Sequence, residues 1–197
     1  MGLRLLWITG EGSDERVVAV AEALCASVDQ AGIQLRDRTR TDEELRPLAE
    51  RLREITARRG ASLVVNRRVA LARSIGADGV HVGRSSLRHV RSVWPSIWLS
   101  APTHSDDDVR EACADGANAV LVSPIFSTPD KGEPRGLDAV RSARTIAGKT
   151  TAVVALGGIG AEDARPCFEA GADAVAVIRA LQYAYDPAAV AKALRYA

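Results

Sequence analysis

Gly171-Ala-Asp-Ala-Val-Ala-Val-Ile178 has two close copies earlier in the chain, Gly76-Ala-Asp-Gly-Val-His-Val-Gly83 and Gly116-Ala-Asn-Ala-Val-Leu-Val-Ser123. In each, a glycine of the kind that closes a helix precedes a small polar turn and then a short run of Val, Ala, Leu or Ile. The unit reads as helix end, turn, buried strand. Runs that are apolar with little alternation belong to parallel strands covered on both faces.

Outward from these copies the same grammar spans the chain. Strands are predicted at 3–9, 32–36, 62–66, 79–82, 96–100, 119–123, 151–155 and 174–178. Ser13 is a candidate cap for a helix through Val17, Val18, Ala21 and Leu24, and the segment Thr41–Arg58 carries Leu45, Leu48, Leu52 and Ile55 on one stripe. Thr41 and Glu44 make a capping box at its start. Further helices are expected at 69–75, 106–114 and 187–195. Strand–helix alternation repeated eight times predicts a compact (β/α)8 TIM barrel, one domain over residues 1–197. An open doubly wound sheet would use fewer strands over this length. Barrels typically run to about 250 residues, so the loops here must be short.

Acids and bases are interleaved to a net charge of +1, which predicts neither nucleic acid nor an anionic membrane as partner. No apolar run approaches the ~20 residues that span a bilayer. Met1–Gly10 lacks the apolar stretch and cleavage site of a signal peptide. Cys25, Cys113 and Cys167 are widely spaced and odd in number, and read as small core residues of a reducing compartment. The expected location is the cytoplasm; a homo-oligomer is compatible with the sequence.

In such a barrel, chemistry sits at the carboxyl ends of the strands and in the loops after them. That rule selects Gln34, Arg36 and Asp37; Asn66, Arg67 and Arg68; His81 and Arg84; Ser100, Thr103 and His104; and Ser123, Thr128, Asp130 and Lys131. Ala155-Leu-Gly-Gly-Ile-Gly160 places glycines between an apolar strand and a helix, where Gly157 and Gly158 could offer backbone N–H groups to a phosphate. The plainer alternative is a tight turn. The backbone at Val177 and Ile178 is the matching candidate after strand eight. The long loop 123–136 holds Thr128 and Lys131, a hydroxyl and a flexible cation suited to anionic oxygens. His104 could move a proton near neutral pH, although a lone loop histidine is more often a surface or capping residue.

These motifs resemble the thiamine phosphate synthase/TenI family. Gly32-Ile-Gln-Leu-Arg36, the Gly76–Gly83 copy, Ser123-Pro-Ile-Phe-Ser-Thr-Pro-Asp-Lys131, Ala155-Leu-Gly-Gly-Ile159 and the Gly171–Ile178 copy occur in the family's order at the same strand ends. The resemblance implies a phosphorylated thiazole ligand and a place in thiamine biosynthesis. Synthase members join a pyrimidine diphosphate to thiazole phosphate with magnesium, and usually carry Asn-Asp after strand three and an acid after the strand-four glycine. Here those positions read Asn66-Arg67 and Gly83-Arg-Ser-Ser86. TenI-type members shift a proton on a thiazole carboxylate phosphate without metal, and tend to carry Ser-x-His-Ser after strand five. This chain has Pro102-Thr-His-Ser105, then Lys131-Gly-Glu-Pro-Arg-Gly136.

On these departures the expected activity is a metal-independent, TenI-like thiazole tautomerase, an isomerase with His104 and Lys131 as catalytic residues. Gln34, Arg36, Asn66, Thr128, Gly157, Gly158, Val177 and Ile178 would bind substrate. No cofactor is expected on that reading, and magnesium only on the alternative, thiamine phosphate synthase. A non-catalytic binder of phosphorylated thiazole is the third reading. Whether Arg67, Arg84 and Arg179 line the pocket is left to the structure.

Overall fold

A computed structural model describes residues 1–129 and 132–196. The described strands are β1 (Leu5–Ile8), β2 (Ala31–Leu35), β3 (Ser62–Asn66), β4 (Gly79–His81), β5 (Trp98–Thr103), β6 (Ala119–Val122), β7 (Ala152–Leu156) and β8 (Ala174–Val177). Helices α1 (Asp14–Ser27), α2 (Asp42–Arg59), α3 (Val69–Ser74), α4 (Leu87–Val93), α5 (Asp106–Ala114), α6 (Gly136–Ala147), α7 (Ala164–Glu169), α8 (Arg179–Gln182) and α9 (Pro187–Tyr196) follow them in turn. Every strand pairs in parallel with its sequence neighbour, and β1 pairs with β8, so the ladder closes as the repeat predicts.

Local chemistry sets the helix ends. Ser13 accepts from the Arg16 amide at the start of α1, and the Thr41–Glu44 capping box forms in both directions. A second capping box, Ser105 with Asp108, opens α5.

Closure makes alternate side chains face two different cores. Leu5, Trp7, Ile33, Leu63, Val65, Val80 and Val120 belong to the outer core, against the helices. Leu6, Ile8, Leu121, Val154 and Ala176 belong to the inner one, with Trp98 packed at its floor. Toward the carboxyl ends the inward positions turn polar, at Gln34, Asn66, His81 and Ser100. The strands read as continuous apolar runs because both faces are covered over most of their length.

Strand β5 departs most from expectation, starting at Trp98 and running through Pro102 to Thr103. Ser100 accepts from Val82 on the β4 side, whereas Leu99 and Thr103 accept from Asn118 and Ser123 on the β6 side. By that alternation Pro102 faces the β4 side, where pairing has already ended at His81. Its missing N–H therefore costs no ladder bond.

The seam between β8 and β1 is the one place where paired strands are not consecutive in the chain. Gln182 crosses it, accepting from the Gly10 amide at 3.2 Å and donating to the Glu11 carbonyl at 3.1 Å. Arg16 donates to the carbonyls of Gln182 and Ala184 at 2.9 and 2.5 Å.

Gly79 faces inward at the barrel floor, where an added Cβ would lie 2.7 Å from the Trp98 ring and 3.0 Å from its carbonyl oxygen. Gly79→Ala is expected to destabilise the fold by about 1–3 kcal/mol through overpacking, read as a lower urea midpoint. An unchanged midpoint would mean that Trp98 has room to yield.

Candidate functional site

The inward positions at the carboxyl ends form the wall of a cavity of about 670 Å³ at the mouth of the barrel. One side is apolar, with Ile8, Pro102, Leu121, Leu156 and Ile178. The other carries Gln34, Asn66, His81 and the guanidinium-bearing residues Arg36, Arg38 and Arg67. An apolar wall opposite a few polar groups is the usual form of a small-molecule site, and the volume lies within the usual range.

The cationic side is held by its backbone. The Arg36 amide donates to buried Thr9 Oγ1 at 2.8 Å, and that hydroxyl donates back to the Arg36 carbonyl at 3.2 Å. The Arg67 amide donates to the His81 carbonyl at 2.8 Å, and Arg67 sits in the left-handed region at φ 64°. Non-glycine residues seldom take that conformation, and where they do it often marks a functional turn.

Electrostatics follow from the crowding. Burial, then Arg67 and Arg36, push the His81 imidazole down to about 4, so it is neutral at pH 7. Its Nδ1 lies 2.9 Å from Ser100 Oγ. Burial, then Arg38 and Arg67, also lower the affinity of Arg36 for its proton. Asp37, although on the same wall, is already engaged. Burial works against its charge, but hydrogen bonds from the Arg40 and Thr39 amides and side chains hold it at about 2.

His104 lines the same cavity. Its Nδ1 lies 2.9 Å from the Ser123 carbonyl, which can only accept, so that nitrogen carries the proton. In the neutral ring Nε2 is then the free acceptor.

Of the residues expected to bind substrate, Gln34, Arg36, Asn66 and Ile178 line the cavity, as do His104 and Arg67. Val177, expected to act through its backbone, pairs with Trp7 in the ladder, and its side chain is in the outer core, the opposite parity to Ile178. Thr103 is also buried, its hydroxyl donating to the Leu121 carbonyl at 3.3 Å. Arg84 pairs with Asp108 at 3.1 Å and with Glu111, and Arg179 is exposed outside the cavity wall. Lys131 and Asp130 lie outside the described residues.

Gly157, Gly158 and Thr128 form a neighbouring corner. A Cβ on Gly158 would lie 2.6 Å from the Ser127 carbonyl, so the long loop packs directly on this turn. The Gly157 and Gly158 N–H groups donate to no acceptor among the described residues. Thr128 Oγ1 is buried there with no partner among the described residues. Both the tight-turn and the anion readings of the glycines therefore have structural content.

Arg38 was missed by sequence reasoning. The signal was available, because 34, 36 and 38 share one parity along β2 and its extension.

Among the described residues, the magnesium tied to the synthase side of the resemblance finds no fitting donors. Magnesium wants carboxylate oxygens in octahedral array. Asp37 is spent on Arg40 and Thr39, and Asp108 accepts from the His104 and Ser105 amides at 2.6 and 3.1 Å. Among the described residues no group of three or more His, Cys, Asp or Glu is placed to hold a metal.

Comparison with known proteins gives consistent likenesses. The model of the thiamine monophosphate synthase family (TMP-TENI) matches residues 5–181. A thiamine-phosphate synthase of Gloeobacter violaceus is 34% identical over 92% of this chain, which spans 54% of that protein's length. One of Haloarcula marismortui is 37% identical, covering 95% of this chain and 90% of its own. The solved thiamine phosphate pyrophosphorylase of Pyrococcus furiosus superposes with a TM-score of 0.87 at 28% identity, covering 99% of this chain and 95% of that one. These relatives overturn the tautomerase expected from the His104 and Lys131 motifs: both curated relatives carry the synthase name. The expectation failed because it equated loss of two metal-binding carboxylates with loss of the coupling reaction.

The neutral His81 ties the site to pH. Its pKa in the fold lies below the ordinary 6.5, so between about 6.5 and 4 the unfolded chain takes up a proton that the folded chain does not. This contribution to stability is complete above that window and falls as pH falls through it, by up to about 3 kcal/mol. Equilibrium unfolding of His81→Asn should lack that share of the pH dependence. A variant whose profile matches the parent would refute it.

Proposed function

The chain belongs to the thiamine monophosphate synthase family, and from that premise we propose that it joins a pyrimidine bearing a methylene diphosphate to a phosphorylated thiazole, releasing pyrophosphate. The observation that carries the reading is the cavity itself: an apolar wall for flat heterocycles faces an arginine wall for a diphosphate, next to a glycine turn whose amides have no acceptor among the described residues and could take a second phosphate. The synthase name of relatives at 34% and 37% identity supports the same chemistry.

In this reaction the thiazole ring nitrogen donates its lone pair to the methylene carbon and a C–N bond forms. The C–O bond to the diphosphate breaks, and its electron pair leaves on pyrophosphate, which gains one negative charge while the thiazole becomes a thiazolium. The transition state differs from the ground state chiefly by charge growing on the leaving group. Groups fixed beside that charge are the effective catalysts. Arg36 and Arg67 fill that role, with their backbones pinned to Thr9 and His81. Gln34 and Asn66 orient the pyrimidine end. Gly157, Gly158 and Thr128 hold the thiazole phosphate, and Ile8, Leu121 and Leu156 exclude water.

No proton moves to or from a catalytic base in this step, so His104 acts as a positioning residue that accepts a hydrogen bond at Nε2. A cytoplasmic setting is proposed with it, supported by three free cysteines carried on helices.

Purified protein given both substrates should form thiamine phosphate and pyrophosphate in equal amounts; no coupled product would end the proposal. Arg36→Gln should lower kcat/KM by about ten- to a hundredfold, the worth of a charge-assisted hydrogen bond. His104→Asn should cost less than about tenfold, whereas a proton-transfer residue would cost about 10²–10⁴. Gly158→Ala, strained at φ 70° and crowded by the Ser127 carbonyl, should raise KM for the thiazole phosphate more than it lowers kcat.

A further inference from the structure

Most arginines around the mouth already have carboxylate partners. Arg40 pairs with Asp14 and Asp37, Arg68 with Asp42, Arg84 with Asp108 and Glu111, and Arg135 with Asp106. Arg36, Arg38 and Arg67 differ. Among the described residues none of these three guanidinium groups takes part in an ion pair or a hydrogen bond, although all three line one cavity. Glu11 is close enough for Arg36 to feel its charge, but the two form no ion pair.

A second observation lies beside the same space. Gln34 is almost wholly buried on this wall, and its Nε2 has no acceptor among the described residues. A buried amide nitrogen without a partner is costly. Arg36 is half-buried and Arg38 and Arg67 are exposed, so three like charges share one cavity and repel one another through partly screening water. Arginine cannot relieve the strain by losing its proton. All of these debts are settled by one kind of occupant, a compact polyanion with several acceptor oxygens.

We infer that Arg36, Arg38 and Arg67, with the Gln34 amide, take the place of a divalent cation, so that this chain binds pyrophosphate without metal and magnesium weakens the binding. The inference deepens the proposed coupling reaction and rests on it for the identity of the diphosphate. The reason for the inverted metal effect is charge. Magnesium removes two negative charges from pyrophosphate and blocks oxygens that the guanidinium forks would otherwise engage. A magnesium complex also brings a dication toward three cations, with no carboxylate set among the described residues to receive it.

The test is a calorimetric titration of inorganic pyrophosphate into the whole chain, once in EDTA and once in excess magnesium. Binding is expected in EDTA, at least about tenfold tighter than with magnesium. Orthophosphate should bind more weakly than pyrophosphate. Arg67→Asn should weaken binding in EDTA about tenfold or more while the melting temperature holds, because asparagine tolerates the left-handed backbone at this position. Arg67→Asp should reverse the metal effect and make binding depend on magnesium. Pyrophosphate binding by the parent chain only in magnesium would overturn the inference. So would Arg67→Asn binding as tightly as the parent. Metal-free binding by a chain that forms no thiamine phosphate would remove the proposed reaction and leave this inference standing. Magnesium-requiring coupling with magnesium-requiring pyrophosphate binding would do the reverse.

Discussion

A closed ladder of parallel strands must send every second side chain into a volume too small to accept eight large ones at one level. Everything distinctive in this molecule follows from how that restriction is met. At the floor, Gly32 and Gly79 give way to Leu3, Leu6 and Trp98. Above them Leu121, Val154 and Ala176 fill the middle. At the top the same inward register delivers Gln34, Asn66 and His81. The polar ring is thus not added to the barrel. It is the last layer of its interior, and the loops only continue the parity outward through Arg36 and Arg38.

The same restriction explains the electrostatics. A residue at the top of the inner face is half in protein and half in solvent, where burial and neighbouring charge both act strongly. His81 loses its proton there chiefly because it is buried and then because guanidinium groups lie near, and Asp37 keeps its charge because Arg40 and Thr39 surround it. Ion pairing elsewhere around the rim sorts the arginines into those that brace loops and those left to face the cavity.

Much of this was legible in the sequence, because parity and repeat are sequence properties. The Gly-Ala-Asp/Asn copies located β4, β6 and β8, and the polar strand ends gave Gln34, Arg36, Asn66 and His104. What could not be read was which side chains had partners. Arg67 and Arg84 stand in equivalent doubt along the chain, yet α5 supplies Asp108 and Glu111 to one and nothing described to the other. The choice of reaction failed for a related reason. A missing carboxylate looks like lost function only until the replacing cation is seen to have no counter-charge of its own.

A ring made from a linear polymer always has one joint that the backbone does not cross. Here the β1–β8 ladder closes it, and Gln182 and Arg16 reinforce it through hydrogen bonds to main-chain atoms of Gly10, Glu11, Gln182 and Ala184. Main-chain donors and acceptors keep their place whatever residue type occupies those positions, so this reinforcement tolerates drift in the segments it ties.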